Sequence, residues 1–270
     1  MGRSNRLAAS SDHYDGQDLE ALVNLENYYQ WILGTFAPYL RGRVLEVGAG
    51  TGNFASNYVD AADDVVLLEP ARNLHPALAD RFRDRRHVRV VGALLEEVCG
   101  PTATGPSLLP NSFDTAILVN VLEHIPDDRG TLCRLRQLLR PEGTLLVFVP
   151  ALSWLYGSLD ALVHHVRRYS RRRLARRVRR AGFAIERLHY FDLLGMVSWL
   201  VAGRILRQHR FSPLAARFYD RCIVPLTAYA ESWITPPLGK NLICVARGQA
   251  LAAAAGVLQS PATEPLDKAA

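Results

Sequence analysis

The chain of 270 residues is 49% hydrophobic and 21% charged, the balance of an ordinary globular protein that can bury a sizeable core as one large or two small domains. Its net charge of +6 comes from thirty arginines against two lysines, Lys240 and Lys268, so arginine occupies even ordinary surface positions and the charge is weak evidence for an anionic partner. Cys99, Cys133, Cys222 and Cys244 are widely separated with no C-x-x-C, the most apolar uncharged runs (145–155 and 193–203) are too short to span a bilayer, and no signal-peptide pattern opens the chain; reduced thiols and a cytoplasmic protein are expected.

Residues 1–17 show no periodicity and are expected to be disordered. Over 18–40, Leu19, Leu22, Val23, Leu25, Trp31, Ile32 and Phe36 return at helical spacing before Pro38, which predicts one or two helices. Next, the apolar run Val44-Leu45-Glu46-Val47 breaks into Gly48-x-Gly50-x-Gly52, a strand ending in a tight turn that lets backbone approach a ligand. The third glycine comes one residue earlier than in the dinucleotide fingerprint, and no Gly-Lys-Ser/Thr follows. Glu46, two positions before the turn, would repel a phosphate and suits the ammonium end of an amino-acid-like ligand.

This stretch resembles the first motif of the class I S-adenosylmethionine-dependent methyltransferases. The resemblance implies S-adenosyl-L-methionine as cofactor, with Gly48 and Gly50 giving it backbone room and Glu46 near its amino group or ordering the loop. Tyr28 joins the cofactor candidates, because Asn27-Tyr28-Tyr29-x-Trp31 is similar to an upstream aromatic stretch in such enzymes; packing of these rings on the core is the other reading. Residues 54–61 are expected to form a short helix, 65–68 a buried strand, 72–85 a helix and 87–91 a third strand. Glu69 ends the second strand 17 residues after Gly52, close to the spacing at which βαβ units set an acid against ribose hydroxyls. Ala93 stands where the family usually has an acid facing adenine, which leaves Leu94 to stack on the ring and Glu96 or Glu97 as substitutes. Residues 99–111 read as an irregular insertion.

Phe113 to Asn120 reads as a fourth strand, followed by Leu122-Glu123-His124, similar to the family's fourth motif; Asn120 is then beside the sulfonium position. Glu123 and His124 are candidates for acid–base work or for bonding the loop. A helix over 129–140, stopped by Pro141-Glu142-Gly143, leads to a fifth strand over 144–149. The segment His165-x-Arg167-Arg168-Tyr169 resembles a run in bacterial small-molecule methyltransferases, which makes His165 and Tyr169 candidate catalytic or acceptor-orienting residues and Tyr156, His164 and Arg168 candidate substrate contacts; a structural role for His165 as partner of Asp160 or of backbone is the other reading. No nucleophilic triad or metal set is implied. From 167 to 180, nine of fourteen residues are arginine, with Ser170 as N-cap, Leu174, Val178 and Ala181 as buried stripe and Gly182 as stop; a solvated helix face is expected.

A sixth strand over 184–190, an apolar helical excursion over 191–236 and a final strand over 239–247 complete the pattern, with a disordered tail after 249. The expected architecture is α/β: a Rossmann-like doubly wound, mainly parallel seven-stranded sheet with an antiparallel last strand, N-terminal helices and a helical insertion before that strand. Residues 18–248 make one domain: helices to 42, a cofactor core over 43–150, a substrate-side segment over 151–190 and the helical cap. The expected activity is methyl transfer to oxygen or nitrogen of a small molecule or peptide product, with no nucleic-acid partner. A lipid-linked or glycan acceptor at a membrane surface, a homodimer and a non-methylating scaffold stay open.

Overall fold

The computed structural model describes residues 25–99, 107–210 and 212–249; the expectations for 1–24, for most of the 99–111 insertion and for the tail lie outside them. Seven strands form one sheet: β1 Arg43–Val47, β2 Asp64–Leu68, β3 Val88–Val91, β4 Phe113–Val119, β5 Leu139–Pro150, β6 Phe183–Phe191 and β7 Asn241–Gly248. Their order is β3-β2-β1-β4-β5-β7-β6. All pairings are parallel except those of β7, which runs antiparallel to both β5 and β6. The expected sheet is therefore present, with its odd strand inserted between β5 and β6.

Alternation along each strand divides the core between two faces. Leu45, Val66, Leu68, Ala116, Leu118, Leu145 and Val147 face one buried cluster, and Val44, Val65, Leu67, Ile117, Leu146 and Phe148 the other. A sheet apolar on both sides needs cover on both, which crossover helices supply. The chain order reverses between β1 and β4, so a crevice opens at the carboxyl ends of these strands, where ligands bind in doubly wound sheets.

Three local expectations change. The helix expected over 129–140 ends at Leu138, and β5 starts at Leu139, taking in Pro141-Glu142-Gly143. Residues 54–61 form two 3₁₀ turns, Ala55–Asn57 and Val59–Ala61, rather than an α-helix. The Asn57 amide donates to the carbonyls of Asn53 and Phe54 and the Ser56 hydroxyl to that of Asn53, which offers the backbone acceptors an alternative to helix. The helix expected over 72–85 is shorter, His75–Arg81, with Pro76 in its first turn. In the arginine-rich segment the helix Arg171–Arg180 forms as expected, with Ser170 capping the Arg173 amide and Gly182 at φ +88° after its end. Leu174, Ala175 and Val178 are buried, while Arg171, Arg172, Arg176, Arg179 and Arg180 face solvent.

The helical excursion breaks into Leu193–Trp199, continued as a π-helix to Ile205, and Pro213–Phe218, continued through a π turn into Val224–Trp233. It is tied to the N-terminal helix Glu26–Phe36 by an acid from afar. That helix starts after Leu25, which has no side chain to accept from the free amides of its first turn. Buried Asp220 supplies the acceptors, taking the Tyr28 amide at 2.9 Å and the Asn27 amide at 3.2 Å. Asp220→Ala should therefore cost about 0.5–2 kcal/mol, the range of a lost helix cap, read as a lower denaturant midpoint with unchanged slope; an unshifted midpoint would remove Asp220 from this role.

Candidate functional site

β1 ends in the glycine turn, where Gly48, Gly50 and Gly52 hold φ of +71°, +57° and +78°, a left-handed backbone that favours glycine. Space enforces two of the three. A Cβ on Gly48 would stand 2.5 Å from Val121 of the turn after β4, and one on Gly52 would stand 2.5 Å from the Phe82 ring. The turn is also tied to β2. The amides of Gly48 and Ala49 both donate to the Leu68 carbonyl, and the Glu69 carboxylate accepts from the Gly50 amide at 2.7 Å and the Ala71 amide at 2.9 Å. Burial raises the Glu69 carboxyl above its ordinary range, with these two amides opposing it.

Glu46 is also buried, on the face of β1 opposite Leu45, where the Tyr58 hydroxyl donates to it at 2.6 Å. Burial pushes its carboxyl up to about 8; the Tyr58 bond opposes the shift and the charge of Glu69 adds to it. In the same turn Thr51 Oγ1 and Asn53 Nδ2 are buried without a hydrogen-bond partner. Two orphaned polar atoms and two desolvated carboxylates on one glycine turn suit a ligand with an ammonium group and several hydroxyls.

Across the crevice, β4 is followed by Asn120, whose φ is +53° and whose backbone amide donates to the Phe148 carbonyl. Asparagine tolerates this conformation and β-branched residues do not. The following turn carries Glu123, fully buried with no well-formed hydrogen bond from another described residue to its carboxylate oxygens, and half-buried His124. His165 comes alongside from a loop 40 residues later: its ring lies 4.8 Å from that of His124, centroid to centroid, and its Nε2 lies 3.6 Å from Glu123 Oε1. Burial raises the Glu123 carboxyl to about 7 and lowers His124 to about 4.

His165 is aimed by Asp160. This carboxylate has no exposed surface and accepts from His165 Nδ1 at 2.9 Å, Arg168 Nε at 2.7 Å, the Trp199 indole at 3.0 Å and the Gly157 amide at 3.0 Å. Burial alone would raise its pKa, yet His165, Arg168 and Trp199 together hold it below the ordinary value. With Nδ1 bound to Asp160, His165 presents Nε2 toward Glu123.

The other residues of the His165 segment serve this placement. Buried Tyr169 directs its hydroxyl to the Leu122 carbonyl and to Asp128, away from the crevice, and buried Arg168 joins Asp160 to the Ala151 carbonyl. Both residues, expected to orient or contact an acceptor, are engaged by internal partners. Arg167 donates to the carbonyls of Ile125 and Pro126, the Val166 amide to that of Glu123, and the Tyr156 hydroxyl to that of His165. His164 is exposed at φ +57°.

Tyr28 lies at the carboxyl ends of β5 and β6, buried, with its hydroxyl 3.0 Å from Asp192 Oδ2 and 3.1 Å from Asn241 Oδ1. Half-buried Leu94 opens the short helix Leu95–Val98, and Glu97 is engaged by the Leu94 amide and Glu96 by Arg134. Sequence reasoning missed Asp192 and named Asp160 only as a partner for His165. Asp192, fully buried, gathers Tyr28, Tyr219, the Gly195 amide and Lys240; the signal for both was an acid within an otherwise apolar or aromatic run.

The fold, the glycine turn with its two carboxylates and the Glu-His turn after β4 define a class I S-adenosylmethionine-dependent methyltransferase. The chain belongs to the methyltransferase domain family, whose model matches residues 25–188. Among curated proteins it is 36% identical to fumosorinone synthetase of Cordyceps fumosorosea over 111 residues, which is 40% of this chain and 3% of that protein. It is 28% identical to mouse glycine N-methyltransferase over 129 residues, 44% of each. The chain thus spans a small part of the synthetase and under half of the mouse enzyme. Similar solved structures include an S-adenosylmethionine-dependent methyltransferase from Mesorhizobium loti, with a TM-score of 0.57 and 18% identity over 83% of this chain and 100% of that one. The phosphoethanolamine N-methyltransferase 2 of Haemonchus contortus, solved with S-adenosylhomocysteine, aligns with a TM-score of 0.57 and 17% identity over 87% of this chain and 58% of that one. The cyclase SpnF shares the fold with a TM-score of 0.53 and 17% identity over 83% and 80%.

The Glu46 carboxyl yields a pH test. Its folded pKa of about 8 stands above its ordinary 4.5, so the fold favours the neutral acid, and that stability is present below the unfolded value and lost as pH rises through the folded one. Glu46→Gln keeps an acceptor for Tyr58 without a charge. The unliganded native protein should lose stability relative to Glu46→Gln by up to about 1.4 kcal/mol per pH unit between about pH 5 and pH 8. Denaturant unfolding across that range checks it, and a pH-independent difference would refute it.

Proposed function

We propose that this chain transfers a methyl group from S-adenosyl-L-methionine to an oxygen or nitrogen of a small-molecule or peptide product of specialised metabolism. The observation that carries the reading is the Asp160–His165–Glu123 cluster beside Asn120. It is a polar centre at the carboxyl edge of β4, two residues beyond the Val121 side chain that abuts Gly48. The similarity to a segment of fumosorinone synthetase and of a hybrid polyketide–peptide synthetase supports an acceptor of natural-product type.

Gly48, Gly50, Glu46 and Glu69 would hold the amino-acid and ribose parts of the cofactor, with Thr51, Asn53, Leu94 and Asn120 around the rest. When bound, the sulfonium supplies a methyl carbon already activated toward displacement. The chain's own work is alignment and the handling of the acceptor's proton. Asp160 fixes the His165 ring, and His165 Nε2 with Glu123 would face the acceptor heteroatom. His164 and Tyr156 stand at the exposed rim as substrate contacts, and Tyr28 borders the same edge.

Calorimetry with S-adenosylhomocysteine tests the cofactor side. The intact protein should bind one equivalent, and Gly48→Val, which drives a branched side chain into Val121, should abolish binding while the fold persists by circular dichroism. Failure of the folded native chain to bind would overturn the reading. His165→Ala should leave that affinity unchanged and lower transfer of labelled methyl to an extract of candidate acceptors.

One observation favours a second reading, a lipid-linked acceptor. Leu194, Val197, Val201, Ile205 and Leu206 are 41–64% exposed along one helical segment, and Leu214, Phe218, Leu226, Tyr229 and Trp233 are 62–79% exposed nearby in the chain. No helix among the described residues is long and apolar enough to cross a membrane, so such contact would be superficial. Flotation with anionic vesicles separates the readings: association lost on Trp233→Glu and Phe218→Glu supports the lipid acceptor, and no association removes it.

A further inference from the structure

We propose that Glu123, His124 and His165 bind one divalent first-row transition-metal ion of the zinc type, with open coordination positions for the acceptor oxygen. One potential ligand atom from each lies within 4.8 Å of the others. Spacing along the chain conceals the set, because two members are adjacent and the third follows 41 residues after His124. It is assembled by the contacts that clamp the 160–169 loop onto the turn after β4, among them Val166 to Glu123, Arg167 to Ile125 and Pro126, and Tyr169 to Leu122 and Asp128.

Three features point to a cation rather than to a closed hydrogen-bond network. Glu123 has no exposed surface, and among the described residues no other residue makes a well-formed hydrogen bond to its carboxylate oxygens; apart from its own backbone amide, its polar neighbour is His165 Nε2 at 3.6 Å. An unsatisfied buried carboxylate is costly, and a metal ion is among the few partners that satisfy it outright. Second, His165 Nε2 and Glu123 Oε1 stand 3.6 Å apart. That is beyond a good hydrogen bond and near the roughly 3.3 Å that separates two ligands held at about 2.0–2.1 Å by one tetrahedral ion. Third, Asp160 accepts from His165 Nδ1. A carboxylate behind a histidine fixes the ring and its tautomer, as in carboxylate–histidine–metal arrangements. Two imidazoles and one carboxylate match the donors of catalytic zinc sites, which keep a fourth position open.

The catalytic consequence rests on the methyl-transfer reading; the binding itself does not. With His165 and Glu123 engaged as ligands, they act on the acceptor through the ion rather than by direct contact: an acceptor hydroxyl bound to the ion has a lowered pKa and loses its proton to solvent. Its oxygen lone pair then forms the O–CH₃ bond as the CH₃–S bond breaks, and that bond's electron pair stays on sulfur to leave neutral S-adenosylhomocysteine. The ion thereby narrows the acceptor to a hydroxyl-bearing compound.

The test uses the full chain, stripped with chelator and titrated with Zn²⁺ alone against a chromophoric indicator, with S-adenosylhomocysteine affinity and thermal unfolding measured on the same samples. One equivalent should bind. His124→Ala and His165→Ala, both at half-buried positions, and Glu123→Gln should each weaken it by about 10-fold or more, with S-adenosylhomocysteine affinity unchanged. No stoichiometric binding, or binding that survives His124→Ala and His165→Ala in folded protein, overturns the proposal. Zinc binding with no S-adenosylhomocysteine binding would uphold the metal site and overturn the methyl-transfer reading.

Discussion

The cluster at the turn after β4 depends on one buried anion. Asp160 has no solvent contact, and its negative charge is held by a guanidinium, an imidazole, an indole N–H and a backbone amide. Removing one partner from such a buried pair costs about 3–5 kcal/mol, because an uncompensated charge stays behind. The constraint works in both directions. Asp160 requires Arg168, which also grips the Ala151 carbonyl just past β5, so the loop carrying His165 is fixed to the sheet edge. Trp199 reaches Asp160 from the helical insertion and stacks near Arg168, 5.2 Å from its ring centroid, so the insertion is registered against the same group.

The cofactor side is organised by the same physics with fewer cations. Glu46 and Glu69 are both buried beside the glycine turn, and the hydrogen bonds that each receives come from Tyr58 or from backbone amides. Among the described residues neither carboxylate is paired with a guanidinium as Asp160 is, His75 being the cationic neighbour that opposes the shift of Glu69, and both carboxyls are shifted upward. A site that keeps desolvated carboxylates without a paired guanidinium favours a positively charged ligand, whose arrival supplies the missing charge. The methionine part of the cofactor carries such a charge on its ammonium group, and the sulfonium adds a second.

The sheet and the glycine turn were legible in the sequence because their signals are local. Apolar β-branched runs mark each strand, and three glycines at alternate positions admit few backbone paths. The 54–61 segment was misread because Asn57 and Ser56 draw on the same carbonyls that a helix would need, a competition that periodicity does not register. The roles within His165-Val166-Arg167-Arg168-Tyr169 were partly legible. The segment packs against the turn after β4 with His165 beside Glu123 and His124, while Arg168 and Tyr169 turn inward to Asp160 and Asp128. Polar type alone does not tell a ligand contact from a strut. The links from Asp220 to the first helix and from Asp192 to Tyr28 span more than 160 residues, beyond any local pattern.

These struts bear on where specificity resides. The segments 120–128, 156–169 and 192–241 are tied down by buried acids: Asp128 holds Tyr169 and Arg167, Asp160 holds His165 and Trp199, and Asp192 holds Tyr28 and Lys240. Buried polar contacts are directional, so each fixes its segment more sharply than apolar packing of similar strength. Within 194–206 and 214–234, anchored by Trp199 on Asp160, Tyr219 on Asp192, Asp220 on the helix Glu26–Phe36 and Glu231 on the Leu193 amide, other large apolar side chains stand in solvent. Substitution there can reshape the acceptor's surroundings without disturbing the acids, whereas change at an acid would move His165 and Glu123 together. Charge thus fixes the placement of His165 against Glu123, and the exposed apolar positions between the anchors are free of that constraint.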